Sequence, residues 1–148
     1  MSRREKDEWV WPVGMDLGKI GEELSRRRPT HTTQQSWEPH IDLVEEEGRL
    51  VLKAEISGVR GEDIEVTFVR ERNSILIRGN RAEDLDSDQS RVGVYTLEIL
   101  YGPFEREIRL PETDINPSEI RAIFRHGLLI VLIPKATVAS QTVTVRKH

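Results

Sequence analysis

The sequence predicts an all-β protein, an immunoglobulin-like antiparallel β-sandwich with a flexible extension at each end. Three observations predict it. Apolar residues alternate with polar ones over short runs. Glycine, proline and asparagine punctuate those runs. No long helical period separates them. The length of 148 residues fits one domain with short extensions. Hydrophobic residues make up 36% and charged residues 32%, against roughly 45–50% (glycine included) and about 25% in average chains. The core is therefore thin, and much of the length is surface or tail.

Residues 1–36 differ from the rest. They hold Trp9, Trp11 and Met15 among many charges, then Arg26, Arg27 and Arg28 and a polar stretch from Thr30 to Ser36. Leu17, Ile20 and Leu24 fall three and four apart, which allows a short helix over residues 16–26, although Gly18 and Gly21 weaken it. The segment reads as an extension that is mostly disordered or a short helix, with sparse apolar groups able to stick to other chains.

Strand signals begin after Trp37. Leu50, Leu52, Ala54 and Ile56 alternate with Val51, Lys53 and Glu55 until Gly58 and Gly61 break the run. Ile64, Val66 and Phe68 follow in alternation, then Ile75 to Ile77 after the polar turn 70–73. Phe104 to Leu110 is closed by Pro111, and Ile120, Ala122 and Phe124 form a further strand. His126-Gly127 turns the chain into Leu128 to Ile133, which is apolar in both phases and predicts a strand covered on both faces. Residues 80–101 make a long insertion, acidic at its start and apolar at its end, where Val92, Val94, Tyr95, Leu97 and Ile99 stand. Loops this long are usually functional or disordered. A strand-like piece on such an arm can pair with a sheet edge, including one on a second subunit.

Several classes of function are disfavoured. The chain has no cysteine, so disulfides, thiolate metal sites and a cysteine nucleophile are excluded. A net charge of −4 gives no general drive towards nucleic acid or anionic lipid. No apolar run reaches the roughly 18–20 residues of a membrane span, and no signal-peptide pattern opens the chain. A cytoplasmic protein without integral membrane association is expected. His31, His40, His126 and His148 lack metal-ligand spacing. No phosphate loop or Gly-x-Ser-x-Gly elbow occurs. No catalytic residue, metal or cofactor is therefore assigned, and an enzyme is not expected.

Six segments in order resemble the small heat-shock protein family, whose shared part is the α-crystallin domain. They are Trp37-Glu38-Pro39-His40-Ile41-Asp42-Leu43-Val44-Glu45; Glu55-Ile56-Ser57-Gly58-Val59; Asp63-Ile64-Glu65-Val66; Ile75-Leu76-Ile77-Arg78-Gly79-Asn80-Arg81; Tyr101-Gly102-Pro103-Phe104-Glu105-Arg106-Glu107-Ile108-Arg109-Leu110-Pro111; and Ala122-Ile123-Phe124-Arg125-His126-Gly127-Leu128-Leu129 with its close at Ile133-Pro134-Lys135. Ser57 stands where the family usually has proline, and His126 where it has asparagine before glycine. Residues 37–135 would form the domain, 1–36 the N-terminal extension and 136–148 the C-terminal one.

The resemblance implies an ATP-independent holding chaperone that binds partly unfolded proteins and works as a homo-oligomer of strand-exchanged dimers. It places Val92, Val94, Tyr95, Leu97, Ile99 and Arg106 at the dimer interface; the alternatives are an arm folded back on its own subunit and an arginine snorkelling at a sheet edge. Arg106 is in phase with Phe104, Ile108 and Leu110, so it needs a carboxylate or carbonyl partner. Val143-Thr144-Val145 stands for the family's Ile-x-Ile tail motif, which would dock in a groove lined by Ile64, Val66 and Ile123, unless the tail is a frayed terminus. Trp9, Trp11 and Met15 are the client-binding candidates. The rival reading uses the same sandwich as an adaptor, as in related co-chaperone domains.

Overall fold

A computed structural model describes residues 8–16, 36–83 and 91–137. Nine strands form two sheets: β1 (Trp9–Pro12), β2 (Gly14–Asp16), β3 (Ile41–Glu45), β4 (Arg49–Glu55), β5 (Ile64–Val69), β6 (Ser74–Arg81), β7 (Gly102–Arg109), β8 (Arg121–Arg125) and β9 (Leu128–Pro134). One sheet has the order β1-β8-β9-β4-β3 and the other β2-β5-β6-β7. All pairings are antiparallel except β2 with β5.

The alternation read from the sequence sets the core. Leu50, Leu52 and Ala54 of β4, Ile64, Val66 and Phe68 of β5, Ile75 and Ile77 of β6, and Leu129, Val131 and Ile133 of β9 meet between the sheets. Burying each such side chain contributes about 1.5–3 kcal/mol. Turn chemistry holds the register. His126 and Gly127 have φ of 51° and 76°, the pair of positive values that a two-residue type I′ hairpin needs. Gly79 is required by packing: a Cβ there would stand 2.3 Å from Phe104 Cζ and 2.6 Å from the Asp63 carbonyl oxygen.

Two sequence readings are corrected. β9 is covered on one face. Its Leu129, Val131 and Ile133 are buried, whereas Leu128 is exposed and Ile130 and Leu132 are half-buried. Among the described residues, no second layer covers the outer face of this sheet. The second correction concerns residues 9–16, which form strands β1 and β2 instead of tail or helix. Residues 17–35, where nearly all of the expected helix falls, lie outside the described residues.

Candidate functional site: open edges, arm and strap

Among the described residues the two sheets end in different edges, that of β3 unpaired and that of β7 bridged at its start by Trp37. β3 ends one sheet and β7 the other on the arm side of the sandwich. In β3 the ladder to β4 is phased by Glu46 N–H donating to the Arg49 carbonyl and Glu55 N–H to the His40 carbonyl. Paired bonds recur every second residue in an antiparallel ladder, so Asp42 and Val44 bond inward. Ile41, Leu43 and Glu45 turn their backbone N–H and C=O groups to the free edge.

The arm lies beside this region without forming a strand in the single chain. Residues 91–101 carry no regular structure. Val92 and Tyr95 are fully exposed at 103% and 101%, and Val94, Leu97 and Ile99 are exposed as well. The arm is therefore not packed back on its own subunit along these side chains. At its start, Arg91 pairs with Glu83 at 2.8 Å.

The root of the arm is held by a cluster that the sequence reading passed over. Arg81 Nη1 donates to the Leu100 carbonyl at 2.9 Å and Nε to the Ser57 carbonyl at 2.8 Å. Its guanidinium lies 3.9 Å from the Trp37 ring centroid. Trp37 in turn donates from Nε1 to the Gly102 carbonyl and tilts against Phe104, centroid to centroid 4.8 Å. Beside the cluster lies a cleft of about 530 Å³, lined among others by Trp37, Pro39, Arg81, Ile99, Leu100 and Tyr101. The sequence signal was an arginine at the exit of β6, where the apolar phase had already ended.

Arg106 has the kind of partner that its phase demands. It is half-buried opposite Ile77, and its Nη1 donates to the Pro39 carbonyl at 3.0 Å. A bond to that carbonyl fixes the chain just ahead of β3, the open edge strand.

The other side of the sandwich is closed by residues 9–16. β1 pairs with β8, Trp11 standing opposite Ala122, and β2 pairs with β5, Met15 standing opposite Phe68. Trp11 and Val13 pack against the core. Trp9 is half exposed and lies over Gly61, where a Cβ would come within 2.7 Å of its Cγ. The three residues expected to line one groove do not share a face: Ile64 and Val66 point into the core, while Ile123 sits opposite Val10 and Ile130 on the outer phase. Strand period two makes Ala122 and Phe124 the inward residues of β8. Val143 and Val145 lie outside the described residues. Among the described residues, no group of three or more histidine, aspartate or glutamate side chains is placed to hold a metal. No helix there is long and apolar enough to cross a membrane.

The described residues thus form a two-sheet sandwich with an exposed apolar arm and an arginine that holds the lead-in to an edge strand. A model of the Hsp20/alpha crystallin family matches residues 42–147, and the chain belongs to that family. Small heat shock protein C2 of Rickettsia felis is 30% identical over 104 residues, covering 70% of this chain and 64% of that protein. A 16.9 kDa class I heat shock protein of Oryza sativa is 33% identical, covering 66% and 63%. The chain thus spans a little under two thirds of the length of these curated relatives. Among solved structures, hspA from Xanthomonas axonopodis is 31% identical with a TM-score of 0.60, covering 71% of this chain and 100% of that one. HSP18.5 from E. histolytica is 28% identical with a TM-score of 0.60, covering 76% and 100%.

Proposed function

We propose that the chain is an ATP-independent holding chaperone of the cytoplasm, binding partly unfolded proteins and keeping them from aggregating. It works as a homo-oligomer built from strand-exchanged dimers, with no cofactor, no catalytic residue and no nucleic-acid or integral membrane partner. The observation that carries the reading is the exposed apolar arm next to an edge strand left unpaired among the described residues, in a chain of this family. An arm left exposed in a monomer would promote aggregation. Pairing residues 92–99 with the free edge of a second subunit's β3 would bury it and satisfy the outward backbone groups. Arg106 supports that contact by fixing the lead-in to β3.

In the same reading, Val143 and Val145 of one subunit dock against the inward residues of β5 and β8 in another, linking dimers. Surface released when such contacts open, together with Trp9, Trp11 and Met15, holds clients. The high share of charged residues keeps the complexes in solution. Light scattering of a heat-denaturing client, without ATP, tests the proposal. Suppression near a one-to-one mass ratio is expected. Unsuppressed aggregation in the presence of the folded protein would overturn it and favour the adaptor.

A further inference from the structure

The segment that closes the groove side of the sandwich has the pattern of the tail. Trp11 and Val13 stand two residues apart and pack against the core, with the exposed Pro12 between them. Val13 N–H donates to the Ile120 carbonyl at 3.2 Å, continuing past the β1–β8 ladder. The chain then crosses to the other sheet and runs parallel to β5. Residues 9–16 are therefore a strap from one sheet edge to the other. It occupies the edge of β8 and the edge of β5 together. Val143-Thr144-Val145 offers the same apolar-x-apolar pattern in sequence.

We propose that the strap is a self-supplied plug: Trp11-Pro12-Val13 and the Val143-Thr144-Val145 segment of a second copy occupy the same groove and exclude one another. This rests on the tail-docking reading above. The exclusion follows from the edges themselves. Each edge strand has one row of free N–H and C=O groups, and β1 and β2 already use those of β8 and β5. The strap also has the stronger hold in an isolated chain. A tryptophan and a valine bury more apolar surface than two valines, and the strap belongs to the same chain as the groove, so its docking is intramolecular. Tails gain when assembly presents them on tethered neighbours. Docking of a tail then releases Trp9, Trp11 and Met15, so assembly and client capture are coupled through one groove.

The absence of cysteine makes the strap easy to lock. Pro12 and Arg121 stand opposite one another across β1 and β8, and both are exposed. Antiparallel partners have Cα atoms roughly 4.5–5.5 Å apart, within the range a disulfide spans. The full-length Pro12→Cys, Arg121→Cys chain would thus carry one possible intramolecular bridge. Native mass spectrometry of its oxidised form should show at least tenfold less material above the dimer than the reduced form. Aggregation suppression should fall with it. Identical mass distributions for the two forms would overturn the plug. Deleting residues 143–148 separates the two readings. If deletion shrinks the assembly and the lock does not, the tail docks elsewhere and the plug alone falls. If neither changes the mass, both fall. Trp11→Ser with Val13→Ser reads the same competition with opposite sign: its assemblies should withstand about tenfold greater dilution, and unchanged dilution behaviour also overturns the plug.

Discussion

The guanidinium of Arg81 joins three parts of the chain: the Ser57 carbonyl before the β5 lead-in, the Leu100 carbonyl at the arm's root and the Trp37 ring. Arg106 does related work on the Pro39 carbonyl. Both arginines bond to carbonyl oxygens, so each fixes a backbone position. Charge pairing with a carboxylate is not their role at these contacts. If the arm exchanges between subunits as proposed, it leaves its own subunit in a defined direction, and loosening its root should weaken association more than folding. For Arg81→Ala, losing these contacts is worth about 1.4 kcal/mol, which is roughly a tenfold weaker dimer. Sedimentation equilibrium should show that loss, with partial recovery in Arg81→Lys, whose ammonium keeps the charge but not the planar fork. A dimer constant equal to that of the wild type would assign Arg81 to local structure alone.

At the scale of elements, β3 is where the single chain is most plainly incomplete. Leu43 directs its backbone N–H to the free edge, while its side chain packs at the core's margin. Leu43→Pro removes that donor and part of the packing; Leu43→Ala removes the packing and keeps the donor. Both variants should fold with similar thermal stability, since proline at an outward-facing edge position breaks no bond to β4. Size-exclusion chromatography with light scattering should then find Leu43→Pro monomeric and Leu43→Ala in assemblies of the wild-type size. Equal behaviour of the two would show that the edge is not the pairing surface.

The same elements show what was legible in the sequence. β7 and β8 each bury one phase of an alternation, and that phase was readable; β4 and β5 bury the expected phase as well, with Val51, Thr67 and Val69 buried from the other. Leu128 to Ile133 misled because its second apolar phase faces outward from a sheet that no layer covers among the described residues. Ile123 misled for a related reason. It stands between Ala122 and Phe124, and period two turns those neighbours inward and Ile123 outward. β1 and β2 carried a signal in Trp9, Trp11 and Val13, three large apolar residues at alternate positions. The surrounding charges and glycines outweighed it, since short strands are stabilised by the edge they join more than by their own composition. Arg81 was hidden because a cation–π contact and two carbonyl bonds depend on which loops converge, and no local period encodes that.

For the whole molecule, the two sides of the sandwich predict an order of disassembly. On the arm side, five large apolar residues and a row of backbone groups are available to one contact. On the groove side, the proposed tail docking would bring two valines, worth about 3–6 kcal/mol together if fully buried, which alone corresponds to dissociation constants of about 0.04–6 mM. Links that weak hold only through tethering, because each docked tail raises the local concentration of the next. They should therefore fail together, and well before the arm contacts do. On dilution or mild warming, native mass spectrometry should find large assemblies giving way directly to dimers, with monomers appearing at far lower concentration. Monomers released straight from large assemblies would mean that the arm is the weaker joint, and that the dimer is not the building unit.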